Sequence, residues 1–163
     1  MISYFMNTKQ CMSALLLSDT FDSFSFLEGE ITTFCTFRIN GTYHKEFYGD
    51  TQEDFQEPYV RWKQIREYCF SLIKGKQTPL HFHFVFSLSP HNISNFLTKK
   101  ELSFLPADVQ GLYLNFKYDG TKLSCTTGTS LNIFTLDKSL EQAWDLTVPK
   151  FFTQNHIEFE EQS

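Results

Sequence analysis

A chain of 163 residues that is 41% hydrophobic and 17% aromatic, with 19 phenylalanines, is too apolar for disorder. It is also long enough to bury one core without disulfide or metal staples. Its net charge of −5 excludes a domain held on nucleic acid by bulk electrostatics, so any phosphate contact must come from a local basic patch.

Element signals run in a repeated order. Ile2 to Met6 reads as a strand, and Asn7 or Thr8 caps a helix whose Cys11, Met12, Leu15 and Leu16 share a face. Three strand-like runs follow, "DSFSFLEGE", "ITTFCTFRI" and "TYHKEFY", separated by Glu28 to Glu30 and by Asn40-Gly41. A three-residue loop with Gly41 in the left-handed bulge position is expected there, because it sets Phe37 opposite Tyr43. The acidic "GDTQEDFQE" reads as an exposed connector. From Pro58 to Lys74, Tyr59, Trp62, Ile65, Cys69, Leu72 and Ile73 recur at helical spacing, with Gly75 as the cap.

The second half restates the first. "LHFHFVFSL" reads as a strand, and Ser89 with Pro90 opens a helix that buries Ile93, Phe96 and Leu97. "GLYLNFKY", "TKLSCTT" and "SLNIFTL" are again three strand-like runs. A two-residue Asp119-Gly120 loop would pair Phe116 with Leu123 and Leu114 with Cys125. Asp137 or Ser139 caps a helix over 138–153, which Pro149 is expected to bend or end, and 156–163 reads as a polar, frayed tail. The expected fold is therefore a single α+β domain over 1–155. It has two strand-helix-strand-strand-strand half-repeats, about 2–49 and 80–136, joined by a helix over 58–74 and followed by a C-terminal helix.

That element order resembles one domain of the DNA sliding clamps. The resemblance implies that helices 8–18 and 90–100 lie side by side with Lys9, Gln10, Asn92, Asn95, Lys99 and Lys100 turned outward, polar or basic residues suited to duplex DNA. It also implies association of several copies, since one such domain cannot encircle DNA. At residue level "LLLSDTFDSF", "EITTF", "LIKGKQTPL" and "CTTGTSLNIFTLDKSLEQAW" are similar to an uncharacterised family of small Firmicutes proteins, a domain of unknown function. This implies a bacterial or phage origin and carries no activity.

Candidate chemistry is sparse. His81 and His83 project from the same side of a strand and could share a metal, but a third ligand from His44, His91, Glu46 or Asp108 is not placed there by spacing. A solvent-facing pair is the preferred reading. "CTTGTS" lacks both the phosphate-loop and the nucleophile-elbow pattern, and Asp19 with Asp22 read as turn formers. Tyr43, Tyr48, Tyr59 and Tyr113 are candidate exposed anchors for a protein partner. Cys11, Cys35, Cys69 and Cys125 contain no Cys-x-x-Cys pair and are expected to be reduced, buried thiols of a cytoplasmic protein. No apolar run reaches membrane-spanning length, and the start lacks the early positive charge of a signal peptide.

The expectation is a non-enzymatic binding protein, with no catalytic residue and no cofactor, that meets a protein partner, another copy of itself or duplex DNA. One alternative is an inhibitor from a phage or mobile element that occupies a bacterial nuclease or defence complex, in the manner of an anti-CRISPR protein. A second is a metal-dependent enzyme built on His81 and His83.

Overall fold

Alternation in one strand fixes the centre of the molecule. In β4 (His81–Ser87) Phe82, Phe84 and Phe86 are buried, while His81 is exposed and His83 half-buried. Successive side chains of a strand point to opposite faces, so one face carries the rings and the other the imidazoles. The computed structural model describes residues 1–51 and 57–162, and the acidic connector read over 49–57 falls mostly outside them.

β4 lies between β2 (Ser25–Thr32) and β5 (Val109–Tyr118), and the register sets Phe26 beside Phe86, Phe84 beside Phe116 and Phe82 beside Tyr118. With β3 (Thr36–Asn40), β6 (Leu123–Leu131), β1 (Ser3–Met6) and β7 (Phe159–Glu161) these form one antiparallel sheet in the order β3-β2-β4-β5-β6-β1-β7. The fold is α+β, as expected.

Helices cover the aromatic face. Trp62 opens α2 (Trp62–Ile73) and is fully buried, its ring 4.9 Å from that of Phe86 and 5.2 Å from that of Phe84. Its Nε1 donates 2.7 Å to the Leu15 carbonyl, which ties α2 to α1 (Thr8–Leu16). From α4 (Ser139–Gln154) Phe152 meets Tyr4 edge-on, and Asp145 accepts 2.6 Å from Thr127 Oγ1 of β6. α3 (Pro90–Lys99) lies by the end of β5, with Phe96 edge-on to Trp144 of α4. Two of the expected caps form: Asn7 accepts from the Gln10 N–H and Ser89 from the Asn92 N–H, satisfying orphan donors of α1 and α3, whereas the N-cap of α4 is Lys138 and not Asp137 or Ser139.

Several expectations need correcting. Neither half forms its third strand: "TYHKEFY" enters a 3-10 segment at Lys45, and beyond Leu131 the "SLNIFTL" run leaves the sheet with Ile133, Phe134 and Leu136 exposed. Glu28 to Glu30 do not separate strands but lie inside β2, beyond a bulge at Leu27. The β2–β3 hairpin turns at 33–35, Phe37 pairs with Ile31, and Cys35 is exposed at the tip. Gly41 has another use. A Cβ there would lie 1.8 Å from the Phe26 carbonyl oxygen, so close backbone approach, not a turn, demands glycine.

Pairing of β5 with β6 is displaced by two positions from the expected register. Phe116 meets Cys125 and Tyr118 meets Leu123, around a loop closed by Asp119. A displacement of two preserves the buried face, so the same side chains enter the core. α2 starts at Trp62 because Arg61 before it is extended and Tyr59 bridges to Thr42, whereas α4 runs through Pro149 to Gln154, close to the expected 138–153. The expected polar tail is partly ordered, since Ile157 is buried and Phe159–Glu161 add β7 to the sheet.

The clamp-like twofold is not reproduced in the sheet. Matching β1 to β4 and β2 to β5 would require the β2–β4 pairing to recur as β5–β1, but β5 pairs with β4 and β6. The tight partner of α1 is α2, so helices 8–18 and 90–100 are not the principal pair.

Candidate functional site

α3 organises the surface. Burial of Ile93, Phe96 and Leu97 leaves Asn92, Asn95 and Lys99, at i, i+3 and i+7, on one strip beside α4. Between the two helices runs a groove of about 310 Å³, floored by Phe24, Phe96, Trp144, Val148 and Phe151. Its rim is formed by Asn92, Asn95, Lys99 and Thr147.

The floor is rigid for identifiable reasons. Trp144 is 3% exposed and its Nε1 donates 3.1 Å to the Tyr113 carbonyl, so the indole cannot swing out without orphaning a donor. Phe96 meets it with ring centroids 5.7 Å apart at 87°, and Phe24 meets Phe151 at 5.6 Å. Edge-to-face pairs of this kind add to area burial. The rim is adaptable by comparison. Asn95 Nδ2 contacts His91 Nε2 at 3.2 Å, and Lys99 forms no ion pair among the described residues. Of the residues lining the groove only Lys99 is charged, and none is a carboxylate, histidine or cysteine.

Three of the six residues expected to face DNA therefore meet at one groove. Lys100 follows as the cap of α3 and is exposed. Lys9 and Gln10 sit elsewhere: Gln10 Oε1 accepts 2.8 Å from the N–H of Glu158, the residue just before the acidic strand β7. Phosphates would be repelled beside Glu158, Glu160 and Glu161, so Gln10 reads as a strut for the C-terminal segment.

His81 and His83 lie on the uncovered face, with Glu30 across from His83 on one side and Lys117 on the other. Among the described residues no three His, Cys, Asp or Glu side chains gather closely enough to hold a metal, and none of the four proposed third ligands joins the pair. Phe24 and Phe151, which complete the groove, escape sequence reasoning. Phe151 lies two residues past Pro149, in the part of the expected 138–153 helix that the proline leaves free to bend, and Phe24 precedes the strand. The available signal was the spacing Leu140, Trp144, Val148 with Thr147 and Phe151 beside it, a stripe too wide for one packing seam.

The pattern of a family of unknown function, DUF5721, matches residues 14–160. The chain belongs to this family. No curated protein and no solved structure matches it. The matched span of DUF5721 includes α2, α3, α4 and the whole groove, so the site is built within the family's own segment.

Proposed function

We propose that the protein is a non-enzymatic binding module that seats a short segment of a protein partner in the α3–α4 groove. An apolar anchor side chain would rest over Trp144 and Phe96, with its backbone met by the amides of Asn92 and Asn95 and an acidic flank at Lys99. The observation that supports this is a rigid aromatic floor of side-chain size whose only charge is positive, in a protein of net charge −5. Interface energy concentrates in such apolar anchors, while rim charges set orientation and rate. The groove lacks the nucleophile-and-base pairing that catalysis requires, which favours binding over turnover. Four free cysteines and the lack, among the described residues, of a helix long and apolar enough to cross a membrane are compatible with a cytoplasmic setting.

Peptide display on the purified chain tests this reading, with Thr147→Trp as the groove-filling variant. Selected peptides should share one bulky apolar residue beside Asp or Glu, and should lose about tenfold in affinity, ~1.4 kcal/mol, on the filled variant. Peptides that bind both proteins equally would refute the groove. Duplex DNA binding that disappears in a Lys99→Glu, Lys100→Glu variant would instead assign the same surface to nucleic acid.

A further inference from the structure

Beyond α3, on the side away from α4, lies a second cavity. The register aligns Ser25 of β2, Ser87 of β4, Tyr113 of β5 and Gly128 of β6 in one cross-strand row on the face opposite the buried rings. Pro58 and Tyr59, the first turns of α3, and the segment Pro106 to Gln110 fold over this row and enclose about 380 Å³, within the range of small-molecule sites. Gly111 makes the room. A Cβ there would lie 2.3 Å from Tyr113 Cζ and 2.5 Å from its Oη, so the phenol lies flat across position 111.

Polar groups in this cleft are left with unused capacity. Ser25 is 2% exposed, yet its Oγ makes no hydrogen bond among the described residues, and the hydroxyls of Tyr59 and Tyr113 make none either. The neighbouring Ser87 is satisfied, donating 3.0 Å to the Leu88 carbonyl and accepting 3.2 Å from the Leu112 N–H. Gln110 Oε1 accepts from Ser130 Oγ at 2.7 Å, which leaves its amide nitrogen free to donate. Asn132 Nδ2 donates 3.0 Å to the Ala107 carbonyl, which leaves its Oδ1 free to accept. Burial holds the Tyr113 phenol above its ordinary pKa, with Tyr59 adding to the rise, so at neutral pH the group is a protonated donor.

These groups define a ligand class. No residue lining the cleft is charged, so a phosphate or carboxylate would lose its hydration with no cation to replace it. A wholly apolar ligand would leave Ser25 buried and unpaired. Hydroxyls that both donate and accept, set among tyrosine rings and the walls of Pro58, Pro90 and Pro106, complement a ring that carries hydroxyls on its edge and C–H bonds on its face. We propose that this cleft binds a neutral sugar ring, either a free monosaccharide or the ribose of an uncharged nucleoside.

Saturation-transfer NMR on the full chain, with glucose, N-acetylglucosamine, adenosine and uridine as probes and adenosine monophosphate as the charged control, tests the proposal. At least one neutral probe should receive saturation and bind more tightly than the monophosphate. Its affinity should fall roughly tenfold in Ser25→Ala and vanish in Ser94→Trp, which fills the cleft from the surface of α3. Transfer to the two sugars alone assigns the first source, and transfer to the two nucleosides the second. No transfer to any probe, or transfer that survives Ser94→Trp in a variant of unchanged melting temperature, overturns the proposal. Thr147→Trp blocks only the α3–α4 groove and should leave sugar binding intact, so the two sites fail or succeed separately.

Discussion

The two faces of the sheet are made from the same strands but answer to different forces. On the covered face Phe26, Phe84, Phe86 and Phe116 are fully buried and pack against Trp62, Phe21 and one another. On the uncovered face Glu30, His83, Lys117 and Ser124 stand in adjacent strands with none fully buried, and Lys122 Nζ sits 4.7 Å over the half-exposed Phe5 ring. Side-chain identity is dictated by shape on the first face and tolerated within broad limits on the second. Away from the row of Ser25, Ser87 and Tyr113, which Pro58 and α3 cover, stability should therefore respond to substitutions by parity, alternating residue by residue along each strand.

Adjacent positions in β4 give the largest contrast. Phe84→Ala removes a ring packed at 4.9 Å from Phe82 and 5.2 Å from Trp62, and should cost ~3–5 kcal/mol in urea unfolding. Val85→Ala, one residue on, should cost below ~1 kcal/mol because its side chain is only half-buried on the other face. Equal losses at both positions would mean that the uncovered face is packed in solution.

Glycines sharpen the same comparison. A Cβ on Gly29 would approach both Phe26 Cζ and Phe84 Cδ1 at 2.9 Å, and both rings are fully buried and unable to yield. Gly29→Ala should therefore lose ~1–3 kcal/mol by overpacking. On the opposite face a Cβ on Gly128 would meet Tyr113 Cβ at an ordinary 3.7 Å, so Gly128→Ala should stay within ~0.5 kcal/mol of the parent in the same unfolding experiment.

Parity explains what could be read from the sequence and what could not. The phenylalanines of "LHFHFVF", the capping residues Asn7 and Ser89 and the burial of the β5 and β6 stripes follow from spacing alone, and even the wrong β5–β6 register kept every side chain on its correct face. Glycine was ambiguous. At Gly41 it serves a close approach to the Phe26 carbonyl, a tertiary event with no local signature, and reading it as a turn moved the hairpin and misplaced Cys35. The groove was half legible, because Asn92, Asn95 and Lys99 share a helical strip, whereas its floor draws Phe24 and Phe151 from elements distant in the chain. The cleft at Ser25 was illegible. A serine alternating with phenylalanine states only that it faces away from the rings, and not that Pro58 and α3 will close over it.

The thiols of the covered side give an effect of intermediate size. Burial raises the Cys69 pKa from 9.0 to about 12, and raises those of Cys11 and Cys125 as well. A folded-state pKa above the unfolded value keeps its full stabilisation below pH 9 and loses it as the unfolded chain alone begins to release protons. By pH 10 the Cys69 contribution should have fallen by about 1.4 kcal/mol, and decline should continue toward the folded value. Unfolding of the wild type and of Cys69→Val at pH 7 and pH 10 isolates this, since the variant should lose less stability by that amount. Identical pH dependence in the two proteins would show that Cys69 is wetter than its packing indicates.

The smallest effect belongs to the imidazoles that make β4 look like a metal site. His81 is exposed and His83 half-buried between Glu30 and Lys117, so neither supports the core and the local charges oppose each other. Two histidines at i and i+2 supply half of a tetrahedral zinc shell, and Glu30 alone would leave the site short of a closed structural centre, with Lys117 repelling the cation. A His81→Ala, His83→Ala double variant should unfold within ~0.5 kcal/mol of the parent. Untagged wild-type protein should carry no stoichiometric metal by elemental analysis. A loss above ~1 kcal/mol that chelators reproduce in the wild type would reverse the assignment. The uncovered face would then be a functional surface whose ligands are completed from outside the described residues.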